Sequence, residues 1–214
     1  MNRMQWTNAI KTEIGYMRHC HGEELDFCEF FEAETAEVGA SVATAMAQLL
    51  RDSSIQHRLK EFAVMIIRRS RAPAEVVVYA CGLVNRINYQ VRGSLNSRNI
   101  KRYFFSALMV SYDLVCQESP TLESWVIISK NKFTVQQILL FQQAFLSIIS
   151  WNLLIERATF VFAVKHLMNS LARVRNPATE AVSRVAGTIM NSRFASACQS
   201  ANISDYSSDT EASS

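Results

Sequence analysis

The chain has 214 residues, 49% of them hydrophobic and 19% charged, with only 6 Gly and 3 Pro; this excludes collagen-like, low-complexity and globally disordered classes and leaves room for one sizeable domain or two small ones. The formal charge is +3, and because the last ten residues hold Asp205, Asp209 and Glu211 without a base, the basic excess belongs to the rest of the chain. The longest strongly apolar stretch, from Ala144 to Ile155, is broken by Ser147, Ser150 and Asn152 and falls short of the ~20 residues of a membrane helix, so no membrane partner is expected.

In chain order, residues 1–34 show no clean period and read as an irregular or partly helical extension. They turn polar and charged at Lys11 and Glu13, which argues against a secretory signal and for a cytoplasmic or nuclear protein. A first amphipathic helix is predicted over about residues 35–51. Leu59, Phe62, Ala63, Ile66 and Ile67 mark the next stripe, and Val76, Ala80, Leu83, Val84 and Ile87 another, opened by Pro73. Val76, Val77 and Val78 favour a strand by propensity, but the helical period persists for about fifteen residues, longer than strands usually run.

Ile100, Phe104, Ala107, Leu108 and Leu114 trace a strongly hydrophobic helix that ends at Gln117-Glu118-Ser119-Pro120, followed by a short helical turn around Trp125. Thr134-Val135-Gln136-Gln137 is a capping-box pattern. It opens a helix to about Ile149 whose apolar residues, among them Leu139, Leu140 and Leu146, occupy nearly the whole circumference, which predicts a central, buried helix. Two more helices fit residues 157–174 and 177–194, separated at Arg175-Asn176-Pro177. Six or seven helices and no strand make the fold class all-α. Residues 200–214 are acidic and Ser-rich and are expected to be disordered, either as a plain solubilising tail or with Ser207, Ser208 and Thr210 open to an acid-directed kinase.

Catalytic signatures are lacking: there is no phosphate-binding Gly loop, HExxH, GxSxG or CxxC. The odd set Cys20, Cys28, Cys81, Cys116 and Cys198 argues against a disulfide framework. His19-Cys20-His21, with Cys28 and Glu29 nearby, resembles a metal cluster only in composition, because adjacent residues point in different directions. No cofactor, metal or catalytic residue is therefore assigned, and a binding protein is expected rather than an enzyme. Between His57 and Arg102 ten Lys or Arg face only Glu61 and Glu75, a surface that could attract an acidic partner, although a solvated helix face is the commoner explanation of such a charge run. The bases are not interleaved with aromatics, which argues against nucleic acid.

Four strings carry a resemblance: Val76 to Ile87, Asn99 to Ser111, Trp125, and Phe145 to Leu153. In this order and spacing they resemble a cyclin box, most closely that of the phosphate-pathway, or P/U-type, cyclins of fungi and protists. The likeness spans about residues 55–155 and implies a five-helix domain there. Residues 1–54 would form an extension with one helix, residues 156–199 flanking helices, and residues 200–214 the tail.

The resemblance further implies a regulatory subunit that binds and activates a cyclin-dependent protein kinase. Leu146, Trp151 and Leu153 fall where the family places apolar contacts to the kinase, with Leu114 on the neighbouring helix. Gln142 stands at the family's interface glutamate and Asp113 at its lysine, while Asn85 replaces an Asp before Arg86. An ionised Asp113 accepts hydrogen bonds where lysine donates them, so the partner would have to supply a donor. The alternative expectation is a cyclin-fold scaffold that holds a non-kinase protein or an acidic ligand on the basic face.

Overall fold

The computed structural model describes residues 33–176 apart from residue 92. The cluster at residues 19–29, the predicted helix over 177–194 and the tail over 200–214 lie outside the described residues. Those described form seven α-helices and one 3-10 turn, with no strand among them.

Helix α1 (Thr35–Leu50) is buried on all sides from Val38 to Ala47. Its small side chains allow close approach. A Cβ built on Gly39 would lie 2.7 Å from the Cα of Val64, so here α1 meets α2 (Gln56–Ser70) almost backbone to backbone. Both helices end on an arginine in the left-handed region, Arg51 at φ 53° and Arg71 at φ 51°. At each, two backbone N–H groups turn back to carbonyls of the last turn, as in a glycine-ended helix. Asp52 then caps the 3-10 turn Ser53–Ile55 by accepting from the N–H of Ser54 at 3.0 Å.

The central rod is α3 (Ala74–Gln90), in which every residue from Val76 to Asn85 is buried. The valine triplet is helical because burial against α4, α7 and α1 outweighs a propensity difference of about 0.5 kcal/mol per residue. Helix α4 (Ile100–Val115) runs beside it, equally apolar. Helix α5 (Leu122–Ile128) is short and is anchored by Trp125, whose ring stands edge-on to Phe105 and Tyr112 at 5.6 and 5.9 Å. Helix α6 (Val135–Ile148) begins with the predicted capping box: Thr134 N–H donates to Gln137 Oε1 at 3.0 Å and Gln137 N–H to Thr134 Oγ1 at 3.2 Å.

The position of α6 departs from the sequence expectation. Only Ile138 and Phe145 within it are buried, while Leu139 is 38% and Leu140 62% exposed. It is a peripheral helix, and α3 occupies the centre. Finally α7 (Arg157–Arg175) packs on α1 and α3 through Phe160, Val164, Leu167 and Leu171. Ser41 Oγ donates to the Leu167 carbonyl at 2.7 Å across this contact. One continuous core therefore includes α1 and α7 as fully as the helices between residues 55 and 155.

Candidate partner-docking ledge and basic groove

Helices α4 and α6 lie side by side, joined by the Tyr103 and Phe145 rings at 6.5 Å and by the Arg102 guanidinium 5.4 Å from the Phe141 ring centre. Leu139, Gln142 and Leu146 are spaced i, i+3 and i+7, which puts them on one stripe of α6. Immediately after that stripe the chain reverses through Ser150 and Trp151, both left-handed at φ 53° and 56°. The Trp151 N–H donates to the Leu146 carbonyl at 2.8 Å.

The segment that follows, residues 152–156, is strapped across α3. Tyr79 Oη donates to the Leu153 carbonyl at 2.7 Å, Arg86 Nη1 donates to the Leu154 carbonyl at 2.6 Å, and Arg86 Nη2 donates to the Asn152 carbonyl. Burial pushes the Tyr79 phenol up to about 12, so it stays a donor throughout the neutral range. The strap fixes the corner while Trp151 projects outward, 65% exposed.

The residues expected to meet a partner thus fall into three groups. Trp151 is fully available. Asp113, Gln142, Leu146 and Leu153 are half-buried, with Leu146 and Leu153 packed on the core edge. Leu114 is only 9% exposed, because α4 is enclosed by α3 and α6; it belongs to the core and is not a surface contact. Leu139 and Leu140, expected from the sequence to lie in a buried helix, add exposed apolar area, and so does Leu154 in the segment after the corner.

A second feature lies along α2. An open groove of about 1190 Å³ is lined by eight Lys or Arg and, among the described lining residues, a single acid, Glu61. Arg58, Lys60, Arg68, Arg69 and Arg71 come from α2 and its cap. Lys101 comes from the start of α4, and Lys130 and Lys132 from the loop between α5 and α6. Arg69 holds that loop in place: its Nε and Nη2 donate to the Ile128 and Ile127 carbonyls at 3.1 and 2.9 Å, at the carbonyl end of α5.

In the floor, Phe62 has the ammonium groups of Lys101 and Lys132 at 5.8 and 6.0 Å from its ring centre. Partial burial, then the nearby charges of Lys132 and Arg58, lower the Lys101 pKa. Of the ten bases counted between residues 57 and 102, Arg86 and Arg102 are turned to other work, and six line the groove.

Among the described residues there is no group of three or more His, Cys, Asp or Glu able to hold a metal, and no helix long and apolar enough to cross a membrane. Compared with known proteins, the chain matches no family model, no curated relative and no solved structure.

Proposed function

We propose that this chain is a non-enzymatic regulatory subunit of the cyclin type, docking a cyclin-dependent protein kinase on the ledge formed by α6 and the Trp151 corner. The observation that carries the reading is the pairing of an outward, 65% exposed tryptophan with a rigid mount behind it, the strap held by Tyr79 and Arg86. A pre-fixed aromatic loses little conformational freedom on binding and contributes more than a mobile one. The apolar side chains of α6 that face outward extend the same surface.

Mechanistically, such a subunit supplies no reacting group. A kinase is active when a glutamate of its mobile helix reaches the strand lysine, and an apolar platform that binds this arrangement better than the alternative shifts the population toward it. Gln142, half-buried on the outward stripe of α6, is the polar contact within the platform, while Asp113, half-buried near the end of α4, would when ionised need a donor from the partner. Leu114 supports α4 from within.

The test is capture of kinase subunits from the source cell by the full chain, followed by titration of the captured kinase against variants. Trp151→Ala combined with Leu139→Ala is expected to weaken binding by about 2 kcal/mol or more, roughly 30-fold, with an unchanged circular dichroism spectrum. Undiminished kinase recovery by the double variant would overturn the reading.

A further inference from the structure

We propose that the groove along α2 binds an extended acidic peptide segment of a partner protein. Its charge is one-sided: eight bases face Glu61, which itself lies 3.9 Å from His57 in a solvent-exposed pair. The bases are also gathered from three separate chain segments, and Arg69 ties the end of α5, from which the Lys130 and Lys132 loop departs, to α2. The ammonium groups of Lys101 and Lys132 both stand within about 6.0 Å of the Phe62 ring and repel each other, and an anion bound beside them relieves that repulsion.

The dimensions favour a chain over a small ion. The 15 residues of α2 rise about 22 Å, with Arg58 near one end and Arg71 at the other. An extended peptide covers that length in about six or seven residues. Half-buried Val64 and Met65 in the lining suit apolar side chains between the acids. Single-stranded nucleic acid would need aromatic faces for stacking. Among the described lining residues Phe62 is the only Phe, Tyr or Trp, and it is 4% exposed.

The experiment uses the full chain and fluorescence anisotropy with a labelled ten-residue peptide of alternating Asp and Val, its Asn-for-Asp counterpart, and a short DNA duplex. The acidic peptide is expected to bind, with affinity falling as salt rises, and the Asn peptide to bind at least tenfold more weakly. The triple variant Arg58→Glu, Lys101→Glu, Lys132→Glu is expected to weaken acidic-peptide binding about tenfold or more. An equal change in net charge made elsewhere, Arg98→Glu, Lys165→Glu, Arg173→Glu, is expected to alter it less than about twofold. If the reversal triple fails to fold, the Gln versions of the same three positions give the same comparison.

Equal losses from the two triples would show that only net charge matters and would overturn the site. Equal binding of the acidic and Asn peptides would overturn the chemistry. Duplex DNA that binds more tightly than the peptide, and is lost in the groove triple, would assign the groove to nucleic acid instead. Because none of these positions lies on the α6 ledge, failure here leaves the kinase-docking reading standing, and the reverse also holds.

Discussion

At Gly39 a single missing methyl group sets the distance between two helices. A Cβ there would stand 2.5 Å from Val64 Cγ2, 2.7 Å from its Cα and 2.8 Å from its N, and the last two are backbone atoms that no rotamer change can move. Gly39→Ala must therefore push α1 away from α2, and overpacking of this kind costs about 1–3 kcal/mol. The expected result is a lower urea midpoint, only partly rescued by Val64→Ala, which removes Cγ2 and leaves the backbone clash. Gly82 gives the contrast: its added Cβ meets Ile155 Cδ1 at 2.9 Å, the far end of a flexible side chain, and Gly82→Ala should unfold near the wild-type midpoint. Residue environment also reinterprets Asn85. It departs from the cyclin pattern, yet it is buried in α3, so the change bears on core packing and not on a surface contact.

Between elements, α1 and α7 are joined by a polar contact with a defined pH response. The Nε2–H of His166 donates to Gln48 Oε1 at 2.8 Å, and burial, followed by the nearby positive Arg173, holds the imidazole pKa below its usual 6.5. The unfolded chain then binds a proton near pH 6.5 that the folded chain resists, so stability is complete above that pH and declines as pH falls through the unfolded value toward the folded one. Urea midpoints measured at pH 7.5 and 5.5 should show a drop in the wild type that is smaller in His166→Gln; an unchanged drop would show that His166 does not contribute.

The helices themselves were legible from periodicity, and the Thr134 box gave an end to within a residue. Their relative burial was not legible. Apolar residues around all of α6 and all of α3 look alike in a sequence, because a partner surface and a core require the same side chains. The groove was half legible: bases at 58 to 71 and at 101 stand in one stretch, but Lys130 and Lys132 reach them only through Arg69 and the turn at Lys130 and Asn131.

On the scale of the whole molecule, α3 is wrapped by helices that come from both ends of the described chain, and this decides what can fold independently. The resemblance expected from the sequence alone would draw a boundary at residues 55 and 155, yet Val42 and Met46 of α1 and Phe160, Val164, Leu167 and Leu171 of α7 are all buried in the common core. At about 1.5–3 kcal/mol for each large side chain, their burial exceeds about 9 kcal/mol before any cost of ordering is counted. Net stabilities of domains are about 5–15 kcal/mol. Removing α1 and α7 would also bare the side of α3 where the Tyr79 ring meets Phe160 at 6.5 Å and where Gly82 faces Ala163.

A fragment of residues 55–155 should therefore keep much of its helical circular dichroism while binding a hydrophobic dye and melting without a sharp transition. A fragment of residues 33–176, which retains both outer helices, should melt cooperatively. A sharp transition in the shorter fragment at the temperature of the longer one would show that the middle five helices suffice, and that α1 and α7 only lie against a core already complete.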